Sequence, residues 1–231
     1  MSFVFPPAEQ PSVPVLDGGA FPVRRIFCIG RNYAEHVSEM GGDPKKNSPI
    51  FFSKPADAVV RNGAVIPYPL KTENLHYEGE LVVALKDGGA RLRSKQEALS
   101  KIFGFAAGCD LTRRDLQAFA KKTGTPWDAA KGFDNSAPIA EIAPIEKLPH
   151  DFLREARLTT SVNRVKHQDA SLSEMIWPVP ELLMALSEYF ELRPGDLVFT
   201  GTPAGVAALS TGDTVEVSIG ALPALHFQIG N

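Results

Sequence analysis

Two carboxylates stand two residues apart in His76-Tyr77-Glu78-Gly79-Glu80-Leu81-Val82-Val83-Ala84-Leu85. On an extended strand, residues i and i+2 share a face, so Glu78 and Glu80 point the same way, beside Val82 and Ala84. Leu81, Val83 and Leu85 line the opposite face. With both faces apolar, the strand reads as buried on both sides. Neighbouring buried carboxylates repel each other and lose hydration, so they call for a compensating cation. A solvated, frayed strand start is the plain alternative for this pair. A third carboxylate, Asp110, follows the apolar run 103–109 and precedes a helical pattern, a position that also suits a turn or cap residue. If the three converge, they form a hard, oxygen-rich site suited to Mg2+ or Mn2+ rather than Zn2+. His76 reads as a residue that orients or packs beside such a site more readily than as a fourth ligand.

Other residues of useful chemistry lie around this centre in sequence. His36 and Glu39 are three apart on a short predicted helix and share a face. An imidazole there suits proton transfer near neutral pH; an incidental surface pair is the alternative. Lys131 sits in the small and aromatic stretch Trp127-Asp128-Ala129-Ala130-Lys131-Gly132-Phe133, and a lysine outside any site would be a solvated charge. Arg31 and Arg114 carry guanidinium groups that bind carboxylates bidentately, although Arg31 also suits a bracing role at the Gly30 turn. Gln117 follows on the helix after Asp110. Thr202, in a Gly-flanked loop, presents a hydroxyl and a backbone N–H to an anion, or simply forms an ordinary Gly/Pro turn.

The elements that must position these residues are short. Pro6, Pro7, Pro11, Pro14 and Pro22 mark residues 1–22 as an extended, unpacked arm. Strands are expected over 25–29, 50–53, 57–60, 78–86, 103–109 and 197–200. Val215, Val217 and Ile219 alternate with polar residues, as do Leu225, Phe227 and Ile229. Asn32 is expected to cap a helix over 32–40, ended by Gly41-Gly42. Ser94 with Glu97, and Thr112 with Asp115, have capping-box spacing and open helices over 94–102 and 112–122. A helix over 181–190 follows Pro180, with Leu182, Leu183, Leu186, Tyr189 and Phe190 on one apolar face. Strands and helices do not alternate as βαβ units, which argues for a β-rich α+β domain over 23–231 rather than a doubly wound sheet.

The chain has 231 residues, 44% of them hydrophobic, enough for one large core. A formal net charge of −3 lacks the basic balance of a nucleic-acid binder. No run approaches the ~20 apolar residues that span a bilayer, and the N-terminus does not read as a signal peptide. The two cysteines, Cys28 and Cys109, lie in apolar runs and suggest buried thiols rather than a disulfide. The cytoplasm is the simplest compartment to expect from these features.

Five segments in order carry a resemblance to the fumarylacetoacetate hydrolase family. They are Gly30-Arg31-Asn32-Tyr33 with the following His36 and Glu39; His76-Tyr77-Glu78-Gly79-Glu80-Leu81; Asp110-Leu111-Thr112-Arg113-Arg114-Asp115-Leu116-Gln117; Trp127-Asp128-Ala129-Ala130-Lys131-Gly132-Phe133-Asp134; and Pro194-Gly195-Asp196 with Thr200-Gly201-Thr202-Pro203-Ala204-Gly205-Val206. Among family members the pattern is most similar to acylpyruvate hydrolases, and the arm Phe3-Val4-Phe5-Pro6-Pro7 resembles that of bacterial fumarylpyruvate hydrolases. The resemblance implies a mixed β-sandwich or roll with a few short helices, a homodimer, and Mg2+ or Mn2+ held by Glu78, Glu80 and Asp110. It implies hydrolysis of a carbon–carbon bond in a 1,3-diketo acid, fumarylpyruvate to fumarate and pyruvate being the best single expectation. In that reaction Glu39 would orient His36, the pair would take a proton from water, and Lys131 would stabilise the developing oxyanion. Arg31, Arg114, Gln117 and Thr202 would bind substrate. Three departures stand out: Tyr77 replaces a second histidine, Ala207-Ala208 replace glycine, and Asn163-Arg164 replace an asparagine-glycine turn. Oxaloacetate decarboxylase and 2-oxo-enoic acid hydratase or isomerase are alternatives on the same metal site. A non-catalytic metal-dependent 2-oxo acid binder is an alternative of another class.

Overall fold

The computed structural model describes residues 3–35 and 49–231. The expected helix over 32–40 therefore lies largely outside the described residues, as do His36 and Glu39. The Gly79–Leu85 strand runs through the middle of an eight-stranded sheet, and all seven of its residues are buried. Across this sheet the order is Ile50–Lys54, Arg25–Gly30, Asp196–Phe199, Gly79–Leu85, Ile102–Cys109, Ala137–Ile139 and Val59–Arg61, with Ala143–Pro144 also paired to Ile102–Cys109. Two pairings are parallel, Asp196–Phe199 with Arg25–Gly30 and Ala137–Ile139 with Val59–Arg61; the sheet is otherwise antiparallel.

A second, five-stranded sheet has the order Val165–Ser171, Arg157–Val162, Thr214–Ile219, Leu225–Gly230 and Ala64–Pro67. Its expected alternation is present: Val215, Val217 and Ile219, then Leu225, Phe227 and Ile229, are buried, while Glu216, His226 and Gln228 are exposed. Those inward residues meet Leu81, Val83 and Leu85 in one apolar cluster. Val82 and Ala84, on the other face of the same strand, join Ile26, Cys28, Leu197 and Phe199 in a second cluster. Each aliphatic side chain so buried contributes about 1.5–3 kcal/mol, and together they hold the Glu78–Glu80 strand in one register. The architecture is the β-rich α+β roll expected, with few short helices.

Three local readings change. Ser12–Pro14 pairs antiparallel with Ala20–Pro22 through a turn in which Asp17, Gly18 and Gly19 have positive φ. Val13 and Phe21 are buried against the second cluster, so residues 12–22 are a packed hairpin rather than an extended arm. Val179–Ser187 ends one turn early; Leu182, Leu183 and Leu186 are buried, but Tyr189 and Phe190 follow the helix and are exposed. At Lys95–Ser100, Ser94 Oγ accepts from Glu97 N–H, but the Glu97 carboxylate reaches Arg93 N–H rather than that of Ser94. Asn163 and Arg164 both take left-handed φ, 51° and 67°, so the hairpin turn forms without glycine. Both cysteines are free and buried. Among the described residues, no helix is long and apolar enough to cross a membrane.

Candidate active site

Glu80 lies on the Gly79–Leu85 strand and Glu78 immediately precedes it, while Asp110 follows the antiparallel partner Ile102–Cys109. Asp110 N–H donates to Glu78 O at 2.8 Å, which sets the two side chains next to each other. One carboxylate oxygen from each of Glu78, Glu80 and Asp110 lies within 4.8 Å of the others, and all three residues are buried. The glycine between the glutamates is a steric requirement: a Cβ on Gly79 would sit 2.1 Å from Thr160 Oγ1 of the facing sheet. Gly79 N–H donates to Gln168 Oε1 at 3.0 Å, locking the strand entry.

Three cations surround the carboxylates. Lys131 is 2% exposed, and its ammonium donates to Glu78 Oε2 (2.7 Å), Asp110 Oδ2 (2.7 Å) and Thr112 Oγ1 (2.6 Å). Lys54 Nζ is 2.8 Å from Asp110 Oδ1 and also donates to Leu111 O and Lys131 O. Arg114 Nη2 donates to Glu78 Oε1 at 2.5 Å and Nη1 to Gln117 Oε1 at 2.7 Å. Burial alone would lower the Lys131 pKa, but Asp110 and Glu78 outweigh it and raise it, so the lysine stays charged. Glu80 is treated differently. Gly201 N–H, presented by a residue at φ +96°, donates to its Oε2 at 2.8 Å. Burial, then Asp110 and Glu78, push its pKa well above the ordinary carboxylate range, against Lys131 and the Gly201 bond. A divalent cation fits this donor set: the oxygens are hard and convergent, and each ionised carboxylate keeps lone pairs beyond those its lysine or arginine partner uses.

The remaining expected residues divide. Arg31, at φ 64°, lines the cavity beside the carboxylates together with Gln117 and Thr202. This cavity is small, about 30 Å³. Arg114 and Gln117 are brought to the site, but Arg114 spends its guanidinium on Glu78 and Gln117. The Thr202 hydroxyl is occupied too, donating to Gly79 O (2.9 Å) and accepting from Gln168 Nε2 (2.8 Å). His76 is outside the carboxylate cluster; its Nε2 lies 2.9 Å from Asn74 Oδ1, and burial, then Arg114, lower its pKa to about 4. Thr112 is not a helix cap: Arg114–Thr123 begins without a side-chain cap, and the Thr112 hydroxyl serves Lys131 and Asp110 O. Asn32 likewise bonds Thr200 O and Trp177 rather than a helix start. Tyr77 OH donates to Gly205 O at 2.8 Å, so this departure ties down the 201–206 loop.

Sequence reasoning missed Lys54, Gln168, Lys121 and Phe52. Only Lys54 left a signal, as a charge ending the apolar strand Ile50–Lys54.

The chain is similar in sequence and fold to known proteins. A family model described as fumarylacetoacetate (FAA) hydrolase C-terminal matches residues 25–230. The chain is 36% identical over 188 residues to a fumarylpyruvate hydrolase of a Ralstonia species, covering 81% of this chain and 96% of that one. It is 38% identical over 196 residues to a mitochondrial oxaloacetate tautomerase of Caenorhabditis elegans, covering 84% and 89%. In structure it is similar to the fumarylpyruvate hydrolase of Pseudomonas aeruginosa crystallised with Mn2+ and pyruvate, with a TM-score of 0.96, 41% identity and 99% of each chain covered. The buried Glu78–Glu80–Asp110 cluster is thus set in a chain that belongs to the fumarylacetoacetate hydrolase family.

Proposed function

We propose that the protein is a divalent-metal-dependent hydrolase that splits a carbon–carbon bond of a 1,3-diketo acid, with fumarylpyruvate, giving fumarate and pyruvate, as its substrate. Glu78, Glu80 and Asp110 hold Mg2+ or Mn2+ in this reading. The observation that carries it is the convergence of three buried carboxylates within 4.8 Å. Support comes from a neighbour of 0.96 TM-score whose crystals held Mn2+ and pyruvate. When bound, the metal supplies chelation and Lewis acidity to the 2-oxo acid end of the substrate.

The protein's own groups do the rest. His36, oriented by Glu39, takes a proton from water, and the resulting hydroxide adds to the distal carbonyl. The carbon–carbon bond breaks with its electron pair passing to the enolate of pyruvate, which is then protonated. Lys131 keeps a buried positive charge where that enolate develops. Arg114 braces Glu78 and Gln117, Arg31 faces the substrate, and Thr202 fixes the loop whose Gly201 N–H holds Glu80. Residues 23–231 act as one catalytic domain, and the enzyme works as a cytoplasmic homodimer.

A second reading is oxaloacetate tautomerase, favoured by the 38% identical relative of that activity. It needs the same chelation and a proton transfer but no attacking water. Chelator-stripped protein reloaded with Mn2+ or Mg2+ is assayed on both substrates. The hydrolase reading expects fumarate and pyruvate in equal amounts, and no turnover without metal. A larger kcat/KM for oxaloacetate tautomerisation replaces it with the second reading; activity indifferent to EDTA overturns both.

A further inference from the structure

An aromatic floor leads away from the carboxylate cluster to a cation that the proposed chemistry has not used. Lys131 Nζ, bonded to Glu78 and Asp110, lies 5.0 Å from the Phe52 ring centroid. Phe52 packs on Trp127 with centroids 5.6 Å apart. Lys121 Nζ sits 5.4 Å over the Trp127 ring. The path from the metal ligands to Lys121 is therefore two rings long, and Lys121, Phe52, Trp127 and Arg31 line the same cavity as Glu78 and Glu80.

Among the described residues Lys121 is held by its place on the Arg114–Thr123 helix and by the Trp127 ring. It is exposed as a residue, and its ammonium makes no ion pair or hydrogen bond among them. Shielding of its ammonium, then Arg114, with Arg31 and Lys131 adding and Glu78 opposing, lowers its pKa to about 8. Arg114 and Lys131 spend their charge on Glu78, whereas the Lys121 ammonium meets no carboxylate directly among the described residues, and a cation so placed at a cavity mouth is complementary to an anion. A planar, unsaturated chain lying on the two rings would bring a carboxylate at its far end to that mouth.

We infer that Lys121, with Arg31, receives the distal carboxylate of the substrate, and that Phe52 and Trp127 bear the carbons between, so that the site selects 2-oxo diacids over 2-oxo monoacids. This rests on the proposed metal chelation of the 2-oxo acid end but not on the reaction that follows. It assigns Lys121 a specificity role that Arg114, spent on Glu78, does not fill.

The test separates the two. Calorimetric binding of 2-oxoadipate and of 2-oxohexanoate to the Mn2+-loaded protein reads charge selection without turnover. The wild type is expected to bind the diacid about tenfold or more tighter, the scale of one charge-assisted contact. Lys121→Met should remove that preference by weakening the diacid, Lys121→Arg should retain most of it, and Lys122→Met, one residue on, should leave it intact. Equal affinities for the two acids in the wild type, no binding of either, or an undiminished preference in Lys121→Met would each overturn the inference. Fumarylpyruvate turnover is measured on the same preparations: diacid selection without hydrolysis leaves the inference standing and removes the hydrolase reading.

Discussion

Two buried acidic sites occupy the same eight-stranded sheet and are closed in opposite ways. Asp196, fully buried at the start of the Asp196–Phe199 strand, accepts from Arg24 (2.9 Å), Arg25 (3.0 Å) and the Arg193 backbone N–H (2.9 Å). One carboxylate there has two guanidinium partners, and nothing more is required of it. At the start of the neighbouring strand, Glu78 and Glu80 meet Asp110, which follows the next strand, together with two lysines and one arginine, and Glu80 itself receives a single backbone bond. Burial of a carboxylate is common to both sites. What separates Asp196 from Glu80 is a direct cationic partner: Asp196 has two, and Glu80 has none among the described residues.

The sharpest way to break this contrast is to neutralise one carboxylate at each site. Glu80→Gln should weaken Mn2+ binding by more than the roughly 10–100-fold typical of residues that merely orient a ligand, while the protein stays folded. Asp196→Asn should do the reverse, costing about 2–4 kcal/mol of stability by stranding two arginines and leaving Mn2+ affinity unchanged. Denaturant melts and metal titration of both variants decide the matter. Lys131→Met comes next: loss of a preorganised positive charge should lower kcat roughly 10²–10³-fold, read by steady-state kinetics at saturating Mn2+.

The contrast was only half legible in the sequence. Glu78 and Glu80 announce themselves by strand alternation, and Asp110 by its place after an apolar run, because these are local patterns. Lys54 reaches Asp110 from 56 residues away across the sheet order, and no periodicity encodes that meeting. Thr112 was misread as a cap because its spacing to Asp115 is right; tertiary contact with Lys131 claimed the hydroxyl instead. The packed hairpin at 12–22 was hidden by prolines, two of which stand at the ends of its paired strands. Residue type alone gives Lys131 no more than a solvated charge, and only the family resemblance singles it out; its three oxygen partners are tertiary contacts that no local pattern encodes.

pH sharpens the comparison further. Glu80 has its pKa raised by burial and by Asp110 and Glu78, so in the metal-free protein its contribution to stability is fully present below the unfolded value near 4.5 and is lost as pH rises through the folded value. His76, lowered to about 4 by burial and Arg114, acts oppositely: its contribution is present above about 6.5 and fades as pH falls toward 4. Metal-free wild type should therefore lose Tm relative to Glu80→Gln as pH rises from 5 to 8, and Mn2+, which stabilises the wild type far more than the variant, should reverse the difference. Identical Tm profiles for the two metal-free proteins would contradict the raised Glu80 pKa. The smallest effect expected is that of Tyr77→Phe, which removes the bond to Gly205 O and should cost about 1 kcal/mol with kcat nearly unchanged.

The most direct measurement is calorimetric titration of Mn2+ into chelator-stripped protein, wild type beside Glu80→Gln. One ion per chain in the wild type, and its loss in a variant that still unfolds cooperatively, is the result this arrangement of carboxylates predicts. No binding to the wild type, or the same stoichiometry and affinity in the variant, would contradict it.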